Sequence, residues 1–277
     1  MGYTLHFTAT RETSIRKKLS VPPQTPALDL SSVIRPIPAT EIEEARSIQQ
    51  SLLPAEPLSS PVFEVACKVR AAAAVGGDFL DYFWLANQTL GLYLGDVVGK
   101  GLSAAFYAAL SAGILRGIAK TDAEPTFILE RLNDRLLDRR VCGRYCVVQY
   151  ALYTPATREL RFANAGLMPR PLHISRYGCR ELGDGGFPCG MFQNAHYDLY
   201  RGRLEPGDTV FFATDGLIDA QDASGRQFGI EGLKKACAAS AGKSVLTILE
   251  DVFRTLDTFT LGARQYDDMT AAALRIF

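Results

Sequence analysis

The stretch LYLGDVVGKGLSAA, Leu92 to Ala105, decides how the rest of the chain is read. An apolar run, Leu92 to Leu94, ends in Gly95 and Asp96, turns at Gly99 and Gly101, and enters an alanine-rich segment of helical character. This strand-glycine-helix order places one carboxylate, Asp96, at a strand end, beside backbone free to approach a ligand closely. Such a position suits a metal or a phosphate.

Three further segments share the pattern. Val75 to Asp78 (VGGD) leads into the apolar FLDYF, Val210 to Gly216 (VFFATDG) is an apolar strand ending in Asp215, and Gln265 to Thr270 (QYDDMT) precedes the apolar run Ala271 to Phe277. One Asp-Gly pair alone reads as turn chemistry. Four carboxylates at strand ends together read as a hard-cation site, because carboxylate oxygens take Mg²⁺ or Mn²⁺ whereas thiolate and imidazole suit softer metals.

Composition narrows the field. The chain has 277 residues, 47% of them hydrophobic, enough for one large domain with an extension. Formal net charge is zero and no long Lys/Arg run occurs, which argues against general nucleic-acid binding and against a polybasic membrane surface. The six cysteines are scattered and form no CxxC, so zinc is not expected and reduced, mostly buried thiols in a cytoplasmic protein are. The opening residues lack the apolar core of a signal peptide, and Ala104 to Ala119 is too short and interrupted to span a membrane.

Residues 1–39 carry five prolines with little periodicity and read as an arm. A helix is expected from Thr40, where Thr40-Glu41-Ile42-Glu43 has capping-box form, with Ile42, Ala45, Ile48 and Leu52 as its apolar stripe and an end before Pro54. Residues 40–60 form this linker helix, and residues 61–277 the main domain. Docking on its own domain is the default cover for the stripe, and pairing with a second copy is the competitor.

In the main domain, strands are expected over residues 62–69, 77–85 and 90–95, helices over 102–120 and 125–140, strands over 145–153, 160–165, 170–175, 197–204 and 209–213, helices over 230–239 and 245–259, and a last strand over 269–276. Phe127, Ile128, Leu132, Leu136 and Leu137 form the apolar spacing of the second helix. This order does not alternate as a doubly wound parallel sheet does. Short turns such as Thr154 to Thr157 demand largely antiparallel strands. The class is α+β: a four-layer α-β-β-α sandwich, two mostly antiparallel sheets face to face with a helix pair outside each.

If Asp78, Asp96, Asp215 and Asp267 converge, their charges raise one another's pKa values unless cations neutralise them. Two divalent cations would do so, lower the pKa of a bridging water and clamp a phosphoryl group for in-line attack. No side-chain nucleophile is then needed, and none is evident: there is no GxSxG elbow, and His6, His173 and His196 sit in ordinary contexts. Gly95 to Gly101 looks like a P-loop but is one residue short and has Gly101 where Ser or Thr would bind Mg²⁺. Lys100 reads as a solvated turn lysine, with phosphate contact the alternative.

The ordered set VGGDF, GDVVGKGLSAA, ANAG, GFPCGM, TDGLIDA, FG and QYDDMT resembles the SpoIIE-type serine phosphatases, the bacterial branch of the metal-dependent (type 2C, or PPM) protein phosphatases. EIEEARSIQQSLLP looks like the linker preceding such domains, so the resemblance covers about residues 41–277. It implies a centre of two Mn²⁺ or Mg²⁺ that hydrolyses phosphoserine or phosphothreonine on a protein, typically an anti-sigma-factor antagonist. By motif matching, Asp96 would bridge both metals, the Val97 carbonyl would complete one coordination sphere, and Asp215, Asp267 and Asp78 would be further ligands. Asp96 and Asp215 would then serve catalysis through the metal-activated water. Asp268 is the weaker candidate of its pair, and Thr270 would support the turn. The resemblance also implies an upstream sensor or regulator acting on the linker helix, or a homodimer formed there. Ala74, Leu167 and Asp219 depart from common residues of the family, outside the metal aspartates. Two other readings stay open: a catalytically weak partner-switch binding module, and a hydrolase of small phosphate esters.

Overall fold

A computed structural model describes residues 37–120 and 123–277. The arm expected over residues 1–39 lies outside the described residues except for its last three.

Helix α1 spans Ala39–Ser51. It starts one residue before the expected Thr40, and the capping box does not form: Pro38 occupies the N-cap position and no side chain caps the helix. Proline serves there because its fixed φ suits a helix start and it has no N–H to leave unpaired. None of the α1 residues is fully buried. Ile42 and Ala45 are half-buried, whereas Ile48 and Leu52 of the expected stripe are exposed at 66% and 40%.

The remaining chain forms two sheets. The first has the order β1 (Leu58–Ser59), β2 (Phe63–Arg70), β11 (Met269–Ile276), β10 (Thr209–Ala213), β7 (Leu172–Ser175) and β8 (Gly178–Glu181). The second runs β3 (Phe79–Trp84), β4 (Leu90–Val97), β5 (Cys146–Thr154), β6 (Glu159–Ala165) and β9 (Tyr200–Arg203). Every pairing is antiparallel. The sheets face each other because alternate residues of each strand are apolar on the inner side. Leu90, Leu92 and Leu94 of β4 share one core cluster with Val210 and Phe212 of β10 and with Leu274 and Ile276 of β11.

The outer faces are covered by helix pairs. Helices α2 (Leu102–Ile118) and α3 (Pro125–Asp138) cover the second sheet. Helices α4 (Gly229–Ala239) and α5 (Val245–Thr260) cover the first. Helix α5 is the most sharply divided, burying Ile248, Leu249, Val252, Phe253 and Leu256, and its N-cap Ser244 accepts the Thr247 N–H at 3.3 Å. The four-layer sandwich follows the sequence pattern, with exceptions at the margins. Phe127 was expected in the α3 stripe but is 52% exposed, because Leu129 and Asn133 take the inward positions. The short strands β1 and β8 were not expected. Among the described residues, no helix is long and apolar enough to cross a membrane.

Candidate metal centre

Antiparallel pairing carries the four aspartate motifs to one end of the sandwich. Asp96 continues the inward row Leu90, Leu92, Leu94 and reaches the last turn of β4, where the layer of apolar side chains has run out. Phe79 pairs with Gly95, so Asp78, one residue before β3, arrives beside it. Ala213 of β10 pairs with Ala271 of β11, which sets Asp215 just past one strand opposite Asp267 and Asp268 just ahead of the other. Asp215 opens a single 3-10 turn, Asp215–Leu217.

Close backbone approach completes the rim. A Cβ on Gly77 would lie 3.0 Å from Asp96 Oδ1 and 3.1 Å from the Val97 carbonyl oxygen, so these two oxygens converge on one small space. A Cβ on Gly216 would meet the Asp268 carbonyl oxygen at 1.8 Å, a contact only glycine permits.

The electrostatics are those of like charges held together. Burial first, then Asp215 and Asp267, push Asp96 up to about 7. Asp78 is raised well above the ordinary carboxylate range, by burial and then by Asp96. Asp215 is raised by burial, then by Asp219 and Asp267. Each carboxylate resists ionising beside the others, the condition a bound cation relieves.

Neighbouring groups hold the aspartates in place. Thr214 donates its hydroxyl to Asp78 Oδ2 at 2.9 Å and accepts the Thr270 N–H at 3.0 Å. Gln265 donates to the carbonyls of Arg70 and Asp267, both at 2.8 Å, and so fastens the QYDDMT turn to the end of β2. Lys100 is an exposed turn lysine, as expected, but it is not without partners: its ammonium lies 2.9 Å from Asp267 Oδ2 and also donates to the Tyr266 carbonyl. Asp268 has another task. Its two oxygens accept the backbone N–H groups of Ala72 and Gly77, both at 2.8 Å, which pins the loop carrying Asp78.

Helix α1 reaches the same loop. Gln49 donates Nε2–H to the Gly76 carbonyl at 2.7 Å and accepts the Gly76 N–H at 3.0 Å, two residues before Asp78. Thr214, Gln265 and Gln49 were not singled out from sequence. Thr214 carries a weak signal in its place beside Asp215; Gln49 carries none, since 27 residues separate it from Gly76.

Among the described residues, no three His, Cys, Asp or Glu side chains close into a finished metal cage. Asp267 is paired with Lys100, and Asp78 accepts from Thr214. The donor set nevertheless fits a hard cation: carboxylates and a backbone carbonyl, crowded enough to resist ionisation. The histidines lie elsewhere. His173 pairs with Asp208 and His196 with Glu130, each at 2.9 Å, and His6 is outside the described residues.

Comparison with known proteins gives the family and the fold. Residues 86–277 match the family model described as Stage II sporulation protein E (SpoIIE). Protein IcfG of Synechocystis sp. is 25% identical over 264 residues, covering 84% of this chain and 41% of IcfG. The phosphoserine phosphatase RsbU of Bacillus subtilis is 23% identical over 240 residues, covering 85% of this chain and 70% of RsbU. The chain thus spans less than half of IcfG and more than two thirds of RsbU. Among solved structures, the SiaA-PP2C domain of Pseudomonas aeruginosa superposes with a TM-score of 0.76 at 21% identity, covering 85% of this chain and 95% of that one. That likeness establishes the fold.

Proposed function

Because the chain belongs to the SpoIIE family, we propose that it is a metal-dependent protein serine/threonine phosphatase whose substrate is a regulatory phosphoprotein of the anti-sigma-factor-antagonist kind. The observation that carries this reading is the meeting of Asp78, Asp96, Asp215 and Asp267 with the Val97 carbonyl at one open end of the sandwich. The name of RsbU, a phosphoserine phosphatase, supports the same reaction. In this reading residues 61–277 are the phosphatase domain, residues 40–60 the linker helix, and residues 1–39 an arm.

Asp96, Asp215, Asp267, Asp78 and the Val97 carbonyl would hold two Mn²⁺ or Mg²⁺. Bound there, the cations supply a water acidic enough to attack at neutral pH and positive charge for the phosphoryl oxygens. The chain's own residues prepare the place. Asp96 is close enough to raise Asp78 and to be raised by Asp215 and Asp267, so its charge is shared with every other carboxylate of the set. Thr214 bonds to Asp78 and Asp268 holds the loop that carries it, so that carboxylate is oriented by its neighbours before any cation binds. Lys100 pairs with Asp267 and would compete with a cation for that carboxylate. The exposed Ile48 and Leu52 of α1 support a regulator or a second copy as the partner of that helix.

The test is phosphate release from a phosphoserine protein with and without Mn²⁺, beside an Asp96→Asn variant. Release should require the metal and fall to background in the variant, while the variant still melts cooperatively. Near wild-type turnover in Asp96→Asn would overturn the site assignment.

A further inference from the structure

Next to the carboxylate rim, the end of α5 and the loop that follows it border a cavity of about 550 Å³. Gly216, Asp219 and Asp267 of the rim line it together with Thr260, Arg264 and Tyr266. Its volume is that of a small-ligand pocket. Most charges around it have local partners. Arg70 is held by Asp257 through two hydrogen bonds and lies over the Phe253 ring. Asp267 has Lys100, and Asp219 accepts the Gln227 amide at 3.0 Å. Arg264 is exposed and, among the described residues, has no carboxylate at ion-pair distance.

We propose that this cavity seats the polypeptide beside the phosphoserine and that Arg264 selects an acidic side chain there, a proposal that rests on the phosphatase reading. A phosphoserine held at the rim places each neighbouring residue at most about 3.5 Å further along the chain. The cavity begins at Asp267 itself, so the first flanking residues enter it. A guanidinium receives a carboxylate in a planar, two-bonded fit. Of the aspartates on the wall, Asp257 and Asp267 are matched by Arg70 and Lys100, which leaves Asp219 to repel a carboxylate and Arg264 to attract one. Selection therefore comes from attraction at Arg264, sharpened by the unmatched charge of Asp219. The exposed phenol ring of Tyr266, 61% accessible, flanks the same opening and gives the peptide backbone a surface to lie on.

The experiment uses the full chain with Mn²⁺ and two phosphoserine peptides that differ only in carrying Glu or Lys at the positions flanking the phosphoserine. The ratio of kcat/KM for the Glu over the Lys peptide should be about tenfold in the wild type, approach one in Arg264→Gln, and invert in Arg264→Glu. The same peptides with a non-hydrolysable phosphonate in place of the phosphate should show the same ratio as Kd. A wild-type ratio near one, or a ratio that survives Arg264→Glu, overturns the proposal. If the phosphonates bind with the expected ratio but no phosphopeptide is hydrolysed, the phosphatase reading falls and the cavity assignment stands. Arg264→Gln gives the answer should the charge reversal fail to fold.

Discussion

The first sheet presents two contrasting regions within a few residues of each other. Beneath α5, its face is filled by Val252, Phe253 and Leu256 against Ala271 and Ala273, all closed from solvent and uncharged. At the end of the same strands stand Asp215, Asp267 and Asp268, with Asp96 and Asp78 across from them. One region lowers the free energy of the fold by burying apolar surface. The other raises it by crowding like charges. The difference shows where stability and chemistry are separated: the strands are anchored by their middles so that their ends can hold an arrangement that would not persist alone.

The largest expected effect lies in the anchored region. Phe253→Ala removes a ring that is 1% exposed and carries Lys68 and Arg70 over its faces. It should cost about 3–5 kcal/mol and lower Tm by roughly 10 °C or more, read by thermal denaturation. A loss of under about 1 kcal/mol would mean that α5 is not the anchor described.

The rim should respond to pH in the opposite sense to an ordinary salt-bridged surface. Asp96 is pushed up to about 7 in the folded chain, against about 3.9 in an unfolded one. Between those values the native state binds more protons than the unfolded state, so stability falls as pH rises. Asp78 and Asp215 are shifted in the same direction. The metal-free protein should therefore melt at progressively lower temperature from about pH 5 to about pH 8, and saturating Mn²⁺ should flatten the trend. A metal-free melting temperature that is level or rising over that range would dissolve the contrast between the two regions.

The smallest effect sharpens the picture of the rim alone. Lys100 places a positive charge 2.9 Å from Asp267 Oδ2 on an exposed side chain. Lys100→Met should tighten Mn²⁺ binding by about 0.5–1 kcal/mol, a two- to fivefold lower Kd by titration calorimetry. Weaker binding in the variant would instead make the lysine a support that Asp267 needs.

Legibility in the sequence followed the same divide. Strands β10 and β11 have the residue bounds that alternation and flanking turns predict, and α2 starts at Leu102, directly after the glycine turn. Apolar periodicity reports burial, and burial governs those elements. Strand β8, Gly178–Glu181, escaped because it is four residues long, polar and at a sheet edge. Phe127 misled because hydrophobicity alone does not say which side of a helix faces inward, and the buried Asn133, which accepts the Gly190 N–H at 2.9 Å, took a position a polar residue would not be assigned. In the rim, each aspartate was visible at a strand end. The partners that orient them were not, because Thr214 with Asp78 and Lys100 with Asp267 are contacts between residues 136 and 167 positions apart. Such pairings leave no local pattern to read.

The Gln49 clasp gives the molecule a built-in gauge. The Gly76 amide hydrogen, in the loop before β3, is bonded to a side chain of helix α1 rather than to a sheet neighbour. Its exchange with deuterium from solvent is thus set by how often α1 lets go, whereas amides inside β2 and β11 exchange only when the sheet itself opens. A single amide two residues from Asp78 then reports the residence of α1 on the domain, with no need to observe the reaction at all.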